Sequence, residues 1–139
     1  MKKRVDALRA AVQDSGVDGV IVTKQQNWQY LSGFTGSNAI LLITEKESIL
    51  VTDFRYLEQA ARETNDFQIV KQTGLAVDTL AEQVEQLGLK KLGFEDEGVT
   101  YHEYEVYKEK MPDVELQPLH HVIEKIRWVK DSGEISLLQ

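Results

Sequence analysis

The chain has 139 residues, no cysteine and a formal net charge of −7, with 42 % hydrophobic and 28 % charged residues. This composition is typical of a globular protein, and a chain of this length buries about two thirds of its unfolded surface, enough for a single core. The lack of cysteine excludes disulfides, thiolate metal sites and a cysteine nucleophile. The acidic balance disfavours nucleic acid as a partner. No apolar run approaches the ~20 residues of a membrane span, and no apolar segment follows the basic N-terminus, so we expect no membrane partner and a cytoplasmic protein.

Helical and strand-like segments alternate along the chain. In chain order, the pattern predicts helix 2–14, strand 19–23, a turn, strands 39–44 and 48–52, helix 54–64, strand 67–72, helix 77–87, strand 92–95, helix 100–110 and strand 114–119. The three residues between the second and third strands can close only an antiparallel hairpin. We therefore predict an α/β fold of three layers, a central mixed sheet of about six strands with helices on both faces.

Local signals mark several helix ends. Gly16 and Gly88 follow apolar stripes, where glycine can supply a left-handed C-terminal residue. Asp53 is predicted to cap helix 54–64, in which Tyr56, Leu57, Ala60 and Ala61 share one side. Thr100, with a glutamate three residues later, predicts a capping box.

The end of the chain resembles the start of a further helix. Asp131 is a suitable cap, and apolar residues begin a stripe that stops at Gln139. A helix of about eight residues is too short to be stable alone. We therefore expect residues 1–130 to form an N-terminal domain and residues 131–139 to begin the first helix of a missing C-terminal domain.

The glycine-rich segment Tyr30–Asn38 is the first candidate site. Its backbone amides could in principle bind an anion, but a strand follows it, whereas phosphate loops place a helix N-terminus at the anion. A structural turn is the favoured interpretation. Phe34, between two glycines, has two equal alternatives: a position in the core or one offered to a partner.

Other groups give little support for catalysis. Arg55 in a first helical turn needs a compensating carboxylate, such as Asp53, and a structural ion pair is favoured over a substrate contact. The acidic run 95–97 is interpreted as a solvated loop. His102 stands alone, and His120 and His121 lack the i, i+4 spacing of helical metal ligands, so no metal site is predicted. No serine lies in a GxSxG motif, and no catalytic residue is predicted.

Four segments, in register, carry a resemblance to a known family. They are Asn27–Ser37, Thr52–Tyr56 with Gln59 and Ala60, Leu92–Glu95 and Ile126–Ile135. In this order and spacing they resemble the N-terminal domain of the creatinase and prolidase family, in particular bacterial Xaa-Pro aminopeptidases and dipeptidases. The last segment is similar to the family's junction with its catalytic domain.

The resemblance implies a division of labour between two domains. A C-terminal catalytic domain would hold two divalent metals, manganese or cobalt, on two Asp, one His and two Glu, and would hydrolyse the bond before proline in a peptide substrate. The N-terminal domain is implied to support dimer or tetramer formation, with a homodimer favoured, and to lend a loop to the active-site rim of a neighbouring subunit. The positions that match this substrate rim are Tyr30, Gly33, Phe34, Thr35, Gly36, Ser37 and Arg55, with Asp53 and Tyr56 as structural motif residues. Among them, Phe34 is the residue that the resemblance favours to reach substrate.

The leading interpretation is therefore a noncatalytic oligomerisation and rim domain of a metal-dependent Xaa-Pro peptidase, with its own catalytic domain and a second subunit as partners. Two alternatives stay open at this point: a standalone module that binds a small ligand or peptide, and the N-terminal domain of a creatine amidinohydrolase.

Overall fold

A six-stranded mixed sheet forms the centre of the molecule, in the order β4-β3-β2-β1-β5-β6. The computed structural model describes residues 2–128. The strands are β1 Gly19–Val22, β2 Ile40–Thr44, β3 Ser48–Thr52, β4 Gln68–Lys71, β5 Lys91–Glu95 and β6 Glu115–Leu119. The pairs β1–β2 and β2–β3 are antiparallel, and the other three pairs are parallel. The predicted hairpin and mixed sheet are confirmed.

Helices cover the sheet. They are α1 Lys2–Val12, α2 Gln25–Ser32, α3 Leu57–Glu63, α4 Ala76–Gln86 and α5 Tyr101–Lys110, together with a helical segment over 122–128 that we call α6. Short 3₁₀ turns, Gln13–Ser15 and Phe54–Tyr56, follow α1 and precede α3. Among residues 2–128, no helix combines the length and the apolar character needed to cross a bilayer.

Alternate strand residues belong to two separate cores, which explains why the central strands are apolar without interruption. Helices α1, α2, α3 and α6 pack with strand residues Val20, Val22, Leu41, Ile43 and Leu50. Helices α4 and α5 pack with strand residues Ile21, Ile40, Leu42, Ile49 and Val51. The predicted three layers are therefore present.

The predicted helix ends are largely confirmed. Gly16 and Gly88 are left-handed, with φ of 79° and 67°. Thr100 and Glu103 form the capping box at the start of α5. The prediction for Ala61 is wrong, because its side chain is exposed whereas Ala60 is buried.

Two helices differ from the prediction. A turn was predicted where α2 lies, and no element was assigned to 122–128. Both segments are short and depend on tertiary contacts, since helices of this length are marginal by themselves. The helix predicted to begin at Asp131 lies outside the described residues.

Candidate functional site

The glycine-rich loop between α2 and β2 uses its own amides within the chain. Gly33 ends α2 with φ of 83° and donates its amide to Gln29 O at 2.8 Å. The amide of Phe34 donates to Ser32 Oγ at 3.1 Å, and that of Thr35 donates to Glu63 Oε1 at 2.9 Å. A carboxylate of the chain itself thus lies where an anion would bind. These contacts favour the structural turn over a phosphate site.

The contacts between Glu63 and the loop hold both the loop and the Glu63 side chain in place. Its carboxylate also accepts from Thr35 Oγ1 and from Gln59 Nε2 at 3.2 Å. The hydrogen bond from the Thr35 amide, followed by those from the two side chains, lowers the pKa of Glu63 against the opposing effect of burial. The loop and α3 are consequently joined by an ionised carboxylate at neutral pH.

Phe34 lies in the core. Its side chain is 0 % exposed and its ring meets Tyr56 edge-on, with 5.7 Å between the centroids. Gly36 closes over the ring so tightly that a Cβ there would lie 2.2 Å from Phe34 Cζ. Trp28 Nε1 donates to Gly36 O at 3.3 Å. The structure therefore places Phe34 in the core, which is one of the two alternatives given above. Contact between this ring and a substrate would require the loop to open.

The exposed part of the loop lies beside the Asp53–Tyr56 turn. Ser37 Oγ is 2.7 Å from Tyr56 Oη, and Thr35 is exposed. We call Thr35, Ser37, Phe54 and Arg55 the rim surface. The structure therefore brings together three of the predicted rim residues, Thr35, Ser37 and Arg55.

The Asp53–Arg55 ion pair is confirmed. Asp53 caps the turn by accepting from the Arg55 amide at 3.0 Å, and its two oxygens accept from Arg55 Nε at 2.9 Å and Nη2 at 3.0 Å. These bonds from Arg55, with one from Asn38, hold the pKa of Asp53 well below its usual range although burial acts in the opposite direction. The Arg55 side chain stays 63 % exposed, so its outer face is open to a partner.

Sequence reasoning missed Phe54, which is 72 % exposed and stands between Asp53 and Arg55. Phe34 lies in an irregular loop and Phe54 begins the 3₁₀ turn Phe54–Tyr56, and hydrophobicity alone does not indicate which ring is buried. The one local feature that favours burial of Phe34 over burial of Phe54 is the pair of glycines, Gly33 and Gly36, on either side of it, since glycine lets the backbone approach a ring closely.

Tyr30 does not lie with the rim surface. Its ring packs against two guanidinium groups, with Arg4 Cζ at 4.3 Å and Arg127 Cζ at 5.8 Å from the centroid. Arg4 Nη1 also donates to Tyr30 O at 2.9 Å. The predicted rim residue Tyr30 thus contacts α1 and α6 in this structure.

A second polar cluster centres on Asn27, which is fully buried in α2. Asn27 Nδ2 donates to Glu95 Oε2 and to Glu124 Oε2, the latter at 3.0 Å, and Asn27 Oδ1 accepts from Arg127 Nη1 at 3.2 Å. Three of the segments that carry the family resemblance therefore meet at one side chain. The cluster joins α2, β5 and α6.

The two carboxylates of this cluster differ in their surroundings. Burial raises the pKa of Glu95, although the amides of Thr23 and Lys24 and the Asn27 side chain donate to it. Burial acts on Glu124 as well, but hydrogen bonds from Lys24 and Asn27 outweigh it and lower the pKa to about 2. Lys24 Nζ lies 2.7 Å from Glu124 Oε2. The hydrogen bonds and the ion pair of this cluster join α2, β5 and α6, and they therefore have a structural role.

A third cluster joins Asp96 and Glu97 of the acidic run to His120 and His121, although no local sequence pattern links the two groups. His120 Nδ1 lies 2.9 Å from Asp96 Oδ2, and His121 Nε2 lies 3.0 Å from Glu97 Oε1. In residues 2–128, Glu97, His120 and His121 form the group whose donors could hold a metal. This set does not fit the two Asp, one His and two Glu expected for the catalytic metals, so no catalytic step is assigned to these residues.

Comparisons with known proteins agree with the architecture. A family profile described as the Creatinase/Prolidase N-terminal domain matches residues 4–129. The uncharacterized peptidase YqhT of Bacillus subtilis is 38 % identical over 136 residues, which are 98 % of this chain and 38 % of that protein. The Xaa-Pro dipeptidase of Pyrococcus furiosus is 24 % identical over 142 residues, and the match covers 100 % of this chain and 38 % of that protein.

Solved structures give the same result. The Xaa-Pro dipeptidase from Bacillus anthracis superposes with a TM-score of 0.87 at 38 % identity, over 91 % of this chain and 35 % of that one. The N-terminal domain of the cytoplasmic peptidase PepQ from Mycobacterium tuberculosis superposes with a TM-score of 0.82 at 32 % identity, over 89 % of this chain and 98 % of that one. The chain spans little more than a third of the full-length relatives, and it belongs to the family of creatinase/prolidase N-terminal domains.

Proposed function

We propose that this chain is the noncatalytic N-terminal domain of a metal-dependent Xaa-Pro peptidase, an aminopeptidase or dipeptidase whose parent cleaves the bond before proline in a peptide substrate. The observation that carries the proposal is the superposition of this domain on about a third of a whole Xaa-Pro dipeptidase. The remaining part of such a parent would supply the catalytic domain, with two divalent ions, manganese or cobalt. We place the parent in the cytoplasm, where the related PepQ is described.

The domain's role in the parent would be assembly and restriction of access. The rim surface combines an exposed aromatic ring, Phe54, with an exposed guanidinium, Arg55, on a turn fixed by Asp53. Rigid walls can limit substrate length and orient a bond without taking part in the chemistry. We propose that the rim surface faces the active site of a neighbouring subunit in a homodimer.

A first test separates the domain from its parent. The 139-residue chain with manganese added should not hydrolyse an Xaa-Pro dipeptide or a longer Xaa-Pro peptide, whereas the parent should hydrolyse at least one of them. Turnover by the 139-residue chain would contradict a noncatalytic role. A parent that hydrolyses creatine and neither peptide would instead support the creatine amidinohydrolase alternative.

A second test addresses the rim. In the parent, Arg55→Ala should raise KM for the Xaa-Pro substrate several-fold, because an exposed positive group would be lost from the wall of the site. Arg62→Ala is the matched control, since Arg62 is an exposed arginine on α3 outside the rim surface. Equal kinetics for the two variants would contradict a substrate-rim role for Arg55.

A third test asks whether the rim serves the neighbouring subunit. A parent carrying Arg55→Ala is mixed and refolded with a parent that lacks one catalytic metal ligand. If the rim acts across the dimer, mixed dimers contain one complete site with the low KM of the unchanged parent, which neither variant shows alone. A mixture no more active than the sum of its two components would show that the rim serves its own subunit or no site at all.

The standalone binding module has less support, since the loop amides of Phe34 and Thr35 already have partners in the chain. Phosphate, nucleotides and proline-containing peptides should leave the backbone amide resonances of residues 33–38 unchanged in the isolated chain. Saturable shifts confined to this loop would favour the module over the rim domain.

A further inference from the structure

Asp96, Glu97, His120 and His121 meet where β5 and β6 end side by side. The two strands are parallel neighbours with Glu95 opposite Leu119, so the residues that follow each strand emerge at the same edge of the sheet. The Asp96 amide continues the pairing by donating to Leu119 O at 3.2 Å. The pairing of strands far apart in sequence creates the cluster.

The backbone at His121 directs both imidazoles to the same place. Successive side chains of an extended strand point to opposite faces, so adjacent histidines would ordinarily diverge. His121 instead has φ of 54°, a left-handed conformation that is uncommon for a residue other than glycine, and its ring stacks on that of His120 with 3.9 Å between centroids. Such local backbone strain concentrates at functional sites.

The donor atoms are spaced much as ligands of one ion are. His120 Nδ1 lies 2.9 Å from Asp96 Oδ2 and 4.0 Å from Glu97 Oε1, and His121 Nε2 lies 3.0 Å from the same Glu97 oxygen. Bonds of about 2.0–2.2 Å from zinc to nitrogen or oxygen, in a tetrahedral arrangement, place neighbouring ligand atoms about 3.3–3.6 Å apart. Small side-chain movements would bring these donors to an ion, and the exposure of His120 and Glu97 leaves an entry path.

We propose that this cluster is a binding site for a first-row transition-metal dication, with His120 Nδ1, His121 Nε2 and Glu97 as ligands and Asp96, whose carboxylate lies beside His120 Nδ1, as the fourth. Imidazole donors select zinc, nickel or copper over calcium and magnesium, which prefer oxygen ligands only. Two carboxylates balance the charge of the ion. On binding, the hydrogen of each coordinating ring nitrogen passes to the other ring nitrogen or to solvent.

The bound ion would fasten the loop after β5 to the beginning of α6. His121 is followed directly by α6, and its carbonyl accepts from the Lys125 amide at 2.8 Å. The same helix carries Glu124 and Arg127 of the Asn27 cluster. The site is therefore structural in character, and it is independent of the peptidase activity proposed for the parent.

The test uses the untagged 139-residue chain and zinc chloride in isothermal titration calorimetry at neutral pH. One zinc ion should bind per chain, with saturation, and magnesium and calcium should not compete. His120→Ala and Glu97→Gln should each weaken zinc binding at least ~10-fold. His121→Asn removes the imidazole at a residue type that tolerates the left-handed backbone, and it should weaken binding equally.

The chain offers a matched control. His102, the remaining one of the chain's 3 histidines, is exposed on α5 and is not a member of the cluster, so His102→Ala should bind zinc as the unchanged chain does. Circular dichroism confirms that each variant is folded. The proposal fails if zinc does not bind saturably, if His120→Ala and Glu97→Gln bind zinc unchanged, if His102→Ala weakens binding as much as they do, or if magnesium or calcium displaces zinc.

Discussion

The burial of Phe34 makes a quantitative prediction for the glycine-rich loop. Phe34→Ala removes a ring that is 0 % exposed and packed against Tyr56. Loss of a buried phenylalanine ring costs ~3–5 kcal/mol, because transfer energy is lost and a cavity remains. We expect the free energy of unfolding to fall by that amount.

Gly36 provides a double-mutant test of the same contact. In the unchanged chain, Gly36→Ala would place its Cβ 2.2 Å from Phe34 Cζ, so overpacking should cost ~1–3 kcal/mol. In the Phe34→Ala background the ring is absent and the added methyl group faces a cavity. The cost of Gly36→Ala should then largely disappear, which gives a coupling energy of ~1–3 kcal/mol between the two positions.

The assay is urea unfolding followed by circular dichroism and by tryptophan fluorescence, to which the exposed Trp128 and the buried Trp28, hydrogen-bonded to Gly36 O, both contribute. Phe54→Ala is the matched control, because the same substitution at a ring that is 72 % exposed should change stability by no more than ~0.5 kcal/mol. A loss below ~1 kcal/mol for Phe34→Ala, or additive effects of the Phe34 and Gly36 changes, would refute the buried position. Either result would favour a loop that is open in solution and a Phe34 ring available to substrate.

Two further predictions use the same urea assay. The pKa of Glu124 is lowered from 4.5 to about 2, so its stabilising contribution is present above pH 4.5 and is lost as the pH falls toward 2. The free energy of unfolding should therefore fall less over this pH range in Glu124→Gln than in the unchanged chain. An equal fall in the two proteins would contradict the role of the carboxylate. Thr100→Ala should cost ~1 kcal/mol because Thr100 Oγ1 accepts from the Glu103 amide at 3.1 Å, whereas Thr100→Ser should retain most of the stability, and equal losses would show that the hydroxyl is not the stabilising group.

The amino-acid sequence by itself determined the elements that rest on local physics. Uninterrupted apolar strands predicted a sheet covered on both faces, the three residues between β2 and β3 permitted only a hairpin, and the caps at Asp53 and Thr100 follow from side chains that reach their own backbone. The Asp53–Arg55 ion pair belongs to the same class, since its partners are two residues apart. These features needed no knowledge of distant parts of the chain.

Only the tertiary structure decided the remainder. Helix α2 has eight residues and few apolar ones, and its buried Asn27 is fixed by Glu95 and Glu124, which are 68 and 97 residues away. Phe34 is buried and Phe54 is exposed, although both are phenylalanines in short segments outside the α-helices and strands. The cluster of Asp96, Glu97 and the two histidines exists because β5 pairs with β6, and strand order is set by packing of the whole sheet, which no local pattern of residues contains.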